Sequence, residues 1–139
     1  MKKLIYAAIF AIVAGKAIAC DKEYMLALNM YREARGESLQ GQLAVAEVTL
    51  NRVKHKSFPN TICSVISQKN QFTWYAKQGI SNPNTKKFKE MLSLSRAILS
   101  NKVQLPKTGA LYFVNSSTRP SFLRNKKHVA DIDNHSFYK

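Results

Sequence analysis

Three observations predict an α+β domain. Apolar residues recur at helical spacing between residues 21 and 100, short runs broken by turn residues follow, and neither a linker nor an internal repeat separates the two parts. Helices first and a small sheet last make one modest domain, and 139 residues suffice to close a single core.

The elements follow in order. Asp21 to Arg35 reads as a helix, with Tyr24, Leu28 and Tyr31 on one stripe and Met25, Ala27 and Ala34 beside it. Asp21 is its expected N-cap and Gly36 its expected stop, which places Glu33 in the last turn. Ser38 to Val53 reads as a second helix, capped by Ser38, with Leu43, Ala46, Leu50 and Val53 at helical spacing. Small residues such as Gly41, Ala44 and Ala46 let it pack closely on a neighbour, and Glu47 lies beside the stripe. After a basic connector ending in Phe58-Pro59-Asn60, Thr61 to Ser67 is a short helix. Gln68 to Asn84 is a polar, aromatic loop with Gly79 and Pro83 as breakers, and Thr85 to Ser100 is the third long helix. Ala110 to Asn115 reads as a strand, and Ser116 to Lys127 as a basic loop. Val129 to Ile132 and Ser136 to Tyr138 read as two short strands joined at Asp133-Asn134.

Residues 1–19 have the pattern of a signal peptide. Met1-Lys2-Lys3 is basic, Leu4 to Ala14 is apolar, and Ala17-Ile18-Ala19 is a small-residue cleavage site before Cys20. The same string is compatible with an uncleaved anchor, or with lipidation of Cys20. The expected location is therefore the periplasm, cell wall or extracellular space, with membrane anchoring as the alternative. Loss of residues 1–19 removes Lys2, Lys3 and Lys16, leaving 19 Lys and Arg against 8 acids, a net charge of +11. A charge of that size attracts polyanions. For an exported chain these are anionic cell-wall polymers or lipid, not nucleic acid. Two cysteines, Cys20 and Cys63, permit one disulfide in an oxidising compartment, with two free thiols as the alternative. Together with His55, His128 and His135 they make no metal-site spacing, so neither metal nor cofactor is expected.

With 8 acids in the whole chain, two carboxylates four residues apart in Tyr31-Arg32-Glu33-Ala34-Arg35-Gly36-Glu37 stand out. Glycosidic cleavage needs a carboxyl kept protonated near neutral pH. Glu33, on a packed helix end, is the candidate general acid. Burial and the negative helix pole raise its pKa, whereas pairing with Arg32 or Arg35 would lower it. Glu37 is either a second carboxylate or a structural cap on the second helix; retaining chemistry wants a pair about 5–5.5 Å apart and inverting chemistry about 6.5–9.5 Å. Gln71-Phe72-Thr73-Trp74-Tyr75 joins polar donors to aromatic faces suited to sugar rings, or else supplies ordinary core aromatics. Tyr112, Phe113 and Asn115 can line the same cleft, with only one of the two aromatics facing it. His135 either steadies a catalytic or substrate group or is structural.

These residues together resemble the catalytic domain of the SleB-type cell-wall hydrolases, the spore-cortex-lytic and related envelope or phage enzymes. The matching strings are Glu33-Ala34-Arg35-Gly36-Glu37, Gly41-Gln42, Ala44-Val45-Ala46 and Leu50-Asn51-Arg52-Val53, followed in the family's order by Phe58-Pro59-Asn60, Gln71-Phe72-Thr73, Gly109-Ala110-Leu111-Tyr112-Phe113 and His135-Ser136-Phe137-Tyr138. The resemblance spans roughly residues 24–139, and the first string is the most specific. It implies a lysozyme-like fold, residues 20–139 as one catalytic domain, and cleavage between N-acetylmuramic acid and N-acetylglucosamine in peptidoglycan glycan strands by a monomer. It maps the catalytic acid to Glu33. It also implies lytic transglycosylase chemistry, in which the muramic 6-hydroxyl attacks and leaves a 1,6-anhydro end. The rivals are a hydrolytic muramidase, pairing Glu33 with Glu37 or Glu47, and a non-catalytic basic protein that binds wall polymers. An amidase lacks the expected zinc-ligand spacing. The chain carries no peptidoglycan-binding repeat, and its basic surface is expected to supply that targeting.

Overall fold

The structure, a computed structural model, describes residues 19–139. The expected leader lies outside the described residues except for Ala19. Five helices run α1 Lys22–Ala34, α2 Leu39–Lys54, α3 Ile62–Ser67, α4 Thr73–Gln78 and α5 Lys86–Leu99, and strands β1 Tyr112–Asn115, β2 His128–Ile132 and β3 His135–Tyr138 follow. The chain is thus α+β as expected, with the sheet at its C-terminal end.

Side-chain caps set most helix starts. Asp21 accepts from the amides of Glu23 and Tyr24, Ser38 from Gly41, Thr61 from Ser64 and Thr85 from Phe88. Each satisfies an amide that the first turn leaves without a partner. The end of α1 differs from expectation. Its closing residue is Arg35 in right-handed geometry, and the glycines with positive φ are Gly79 and Gly109 rather than Gly36. The Glu37 amide donates to the Ala34 carbonyl at 3.0 Å instead, so a tight turn ends the helix without a left-handed residue.

Helix α4 was not expected. It is six residues long, rich in aromatics, and its N-cap Phe72 makes no side-chain cap bond, so neither periodicity nor capping marks it. Tertiary bonding supplies what the local sequence lacks: buried Trp74 donates its indole N–H to Asn29 Oδ1 on α1 at 2.9 Å. A short 3-10 turn at Ser121–Leu123, likewise without a side-chain cap, interrupts the basic loop.

Helix α1 is the central element. Residues Met25 to Tyr31 are all buried, and Leu26, Leu28 and Met30 are 0% exposed. Each such side chain contributes about 1.5–3 kcal/mol by leaving water. The main core joins α1 to α2, α3, α4 and α5 through Leu43, Ile66, Trp74, Phe88 and Met91. A second cluster seats the sheet on α2, with Phe137 against Ala44, Val45 and Val48. The sheet is antiparallel in order β1-β3-β2. Register places Phe113 opposite Phe137 and Asn115 opposite His135 on the helix side, and Tyr112 opposite Tyr138 and Val114 opposite Ser136 on the outer side. β2 and β3 join through Asp133, at φ 51°, and Asn134.

Two long-range ties hold the framework. Cys20 and Cys63 form a disulfide across a separation of 43 residues, with Cα atoms 6.3 Å apart. The hairpin turn is latched onto the start of α2, where Asp133 Oδ2 accepts from Ser38 N at 2.8 Å and Ser38 Oγ at 2.6 Å. Gly41 makes room for that latch: a Cβ there would lie 2.5 Å from Asp133 Oδ2 and 2.9 Å from Glu37 Cβ.

Two stability outcomes follow. Cys63→Ala is expected to lower unfolding stability by about 2–4 kcal/mol, because the open chain regains loop entropy; an unchanged urea midpoint would remove the bridge from the stabilising set. Gly41→Ala is expected to destabilise by about 1 kcal/mol despite alanine's helix preference, since crowding outweighs propensity. A thermal melt equal to or above that of the parent would show that the latch yields without cost.

Candidate active site

Glu33 occupies the last turn of α1 and is half-buried. No side-chain hydrogen bond or ion pair to it is found among the described residues. The two neighbouring cations are held elsewhere: the guanidiniums of Arg32 and Arg35 sit 5.5 and 5.0 Å from the centre of the Tyr31 ring. Burial pushes the Glu33 carboxyl above its ordinary value of 4.5, with no opposing charge. The competition left open by the sequence between burial and pairing with arginine therefore resolves toward burial, and the protonated form is favoured.

The other two candidate carboxylates are engaged in the framework. Glu37 accepts from the backbone N–H and side-chain Nδ2 of Asn134, each at 3.3 Å, and its carbonyl accepts from Gln42 Nε2 at 2.9 Å. It thus braces the α2 start against the hairpin turn rather than capping the helix itself. Glu47 is 4% exposed and accepts from Thr108 Oγ1 at 2.9 Å, fastening the segment before β1 to α2.

The sugar-facing candidates are gathered by a residue that sequence reasoning did not single out. Arg52, 5% exposed, donates from Nε to the Leu111 carbonyl at 2.8 Å and from Nη1 to Gln71 Oε1 at 3.1 Å. Its guanidinium lies 5.0, 5.5 and 5.7 Å from the ring centres of Phe58, Phe72 and Tyr112. Burial lowers its pKa to about 10, with Tyr112 opposing, so it stays charged at neutral pH. Asn51 donates to the adjacent Ala110 carbonyl at 2.9 Å. The Asn51-Arg52 pair thus pins residues 110–111 to α2 and aims Gln71, whose amide nitrogen is left to donate. In the sequence only the pair's place in a family-like string marked it, because its partners lie about 20 and 59 residues away.

Tyr112 is half-buried, on the outer side of β1 beside Phe58 and Phe122. Thr73 is exposed at the first turn of α4. Phe72 and His135 are placed differently from the expected sugar contacts. Phe72 is 6% exposed and packs against Phe113, so its ring face is consumed inside the protein. His135 is 8% exposed, with its ring 5.1 Å from Phe113 and 6.2 Å from Phe137. Burial lowers its pKa, against the pull of Glu37 and Asp133, and favours neutral imidazole. Of the two aromatics on β1, Phe113 faces the helices and Tyr112 does not, in keeping with strand alternation. Asn115 is exposed, and its Oδ1 accepts from Ser117 N and Oγ at 2.9 and 2.7 Å, which fixes a turn.

A raised carboxyl pKa has a signed consequence for stability. The folded chain holds the Glu33 proton more tightly than the unfolded chain, so stability falls as pH rises from 4.5 through the raised value and is then level. Glu33→Gln lacks that loss. Urea unfolding over a pH series is expected to show the parent weakening relative to Glu33→Gln across that window; a pH-independent difference would mean that Glu33 titrates normally.

Comparison with known proteins gives a consistent result. The family model described as Cell Wall Hydrolase matches residues 36–138, beginning three positions after Glu33. A spore cortex-lytic enzyme of Bacillus cereus is 36% identical over 118 residues, covering 83% of this chain and 43% of the relative. The spore cortex-lytic enzyme of Oceanobacillus iheyensis is 34% identical over 117 residues, covering 83% and 40%. The chain therefore spans about two fifths of the length of these curated relatives. The solved catalytic domain of the germination-specific lytic transglycosylase SleB from Bacillus anthracis superposes with a TM-score of 0.72 at 31% identity, covering 90% of this chain and 99% of that domain. The catalytic domain of Bacillus cereus SleB superposes with a TM-score of 0.71 at 30% identity. With its family match over residues 36–138 and a fold shared with these catalytic domains, the chain belongs to the cell wall hydrolase family.

Proposed function

We propose that this chain is an exported peptidoglycan glycosidase that cleaves the N-acetylmuramic acid–N-acetylglucosamine bond as a lytic transglycosylase, with residues 20–139 as its catalytic domain. The observation that carries the reading is Glu33: a half-buried carboxyl on a rigid helix end, free of its neighbouring arginines and pushed toward its protonated form. That is the state a general acid needs before it meets the glycosidic oxygen. Kinship to the catalytic domain of SleB from Bacillus anthracis, a germination-specific lytic transglycosylase, supports the reaction class.

In the proposed cycle Glu33 donates its proton to the leaving oxygen as the bond to the anomeric carbon breaks. The carboxylate then takes the proton of the muramic 6-hydroxyl as that oxygen attacks the same carbon, closing the 1,6-anhydro ring and restoring the acid. One carboxyl serves both steps. The engagement of Glu37 by Asn134 and of Glu47 by Thr108 supports a single-carboxyl cycle over one that pairs Glu33 with a second acid. Gln71, held by Arg52, and exposed Thr73 supply polar groups for sugar hydroxyls or acetamido groups, and Tyr112 supplies a partly open ring. Phe72, Phe113 and His135 shape the site from beneath. The chain acts as a monomer on glycan strands outside the cytoplasm.

Glu33→Gln is expected to fold and to lose wall-clearing activity by about 10²–10⁴-fold, the scale of a general acid–base contribution. Activity retained by the folded variant would dismiss Glu33 from the role. Mass spectrometry of digested glycan then separates the chemistries. Ends one water lighter than reducing ends are expected, whereas reducing ends would establish the hydrolytic muramidase.

A further inference from the structure

The basic segment between β1 and β2 folds over the outer side of the sheet. Leu123 is buried there at 6% exposure, and Ser136, on the outer side of β3, at 2%. A cavity of about 320 Å³ opens between this segment and Tyr138, lined by Arg119, Pro120, Ser121, Leu123, Arg124 and Tyr138. It faces away from the helices, because Tyr138 pairs with Tyr112 on the side opposite Phe137.

The cavity's charges are preset. Arg119 Nη1 donates to the carbonyls of Ser116 at 2.6 Å and Thr118 at 2.9 Å, which orients the guanidinium and leaves its other nitrogens to bind. Among the described residues Arg124 has no side-chain hydrogen bond or ion pair. The acid on this side, Asp131, has its Oδ1 engaged by Ser136 Oγ at 2.6 Å and His128 Nε2 at 2.8 Å and lies within electrostatic reach of Arg119, which leaves Arg124 as the guanidinium without a counter-charge. Lys126, Lys127 and Lys139 adjoin the same edge, the last two paired through their backbones. Two guanidiniums beside Pro120, Leu123 and a phenol ring recognise an oxyanion carried on a small apolar group, rather than a bare anion.

We propose that this cavity, which adjoins Tyr112 but is lined by none of the residues assigned to glycan cleavage, is a docking site for the carboxylate end of a wall peptide. It grips the peptide side of peptidoglycan through Arg119 and Arg124 while the alkyl group rests on Leu123, Pro120 and Tyr138. The proposal rests on the wall being the substrate, but not on Glu33 being its acid.

The test is an amide-resolved NMR titration of the folded chain with acetyl-D-alanyl-D-alanine, and separately with inorganic phosphate. Saturable shifts confined to residues 119–124 and Tyr138 are expected with the dipeptide. Arg124→Gln, whose side chain holds no part of the fold, is expected to weaken binding about tenfold. Lys86→Gln/Lys87→Gln, which removes as much charge or more on α5, is expected to bind like the parent, and Glu33→Gln likewise. Three results would each overturn the site: no localised shifts, an equal response to phosphate, or equal weakening by the α5 variant, which would reduce the effect to general charge. Because the dipeptide has no glycosidic bond, failure of the Glu33 chemistry leaves this readout unchanged, and failure here leaves glycan cleavage untouched.

Discussion

A buried cation organises the region where α2, β1 and the loops before α3 and α4 meet. Arg52 is nearly sealed from water, yet no carboxylate pairs with it among the described residues; it is held by two oxygen acceptors and three aromatic faces. An isolated buried charge would be costly, and here the carbonyl, the amide and the rings share the compensation. Because those groups come from β1, the loop before α4 and the loop before α3, one side chain sets the relative positions of three segments that local sequence leaves free. The remaining charged state is secure, since a pKa near 10 keeps the guanidinium protonated at physiological pH.

The acids divide by environment rather than by identity. Glu37 and Asp133 lie at the junction of α2 with the hairpin turn and accept hydrogen bonds. For Asp133 these bonds, chiefly from Ser38, lower the pKa and preserve the carboxylate. Glu33 has burial without donors, and its carboxyl moves the other way. A carboxyl is thus held as an anion at Asp133 by hydrogen-bond donors and pushed toward its acid form at Glu33 by burial without them.

The helical body explains how such an acid stays in place. α1 is buried along nearly its whole length, so its last turn inherits the rigidity of the core, while the disulfide ties its start to α3. The sheet is small and rests on α2 through Phe137 and its neighbours. That leaves the outer side of the sheet free to carry the basic segment.

Much of this was legible in the sequence, and the reasons are local. Helical periodicity, with Asp21 and Ser38 as expected caps, located four helices, and alternation with Asp133-Asn134 as the turn located the hairpin, because these signals act over a few residues. The cluster of scarce acids drew attention to Glu33. What the sequence left open depends on contacts across tens of residues. The turn that closes α1 without a left-handed glycine, helix α4 held by Trp74 on Asn29, the inward burial of Phe72 and His135, and the role of Arg52 all required knowing which segments meet. So did the direction of the Glu33 shift, since composition places arginines beside it and only the fold turns them onto Tyr31. Periodicity and capping are properties of neighbours along the chain, whereas solvation and hydrogen-bond supply are properties of neighbours in space.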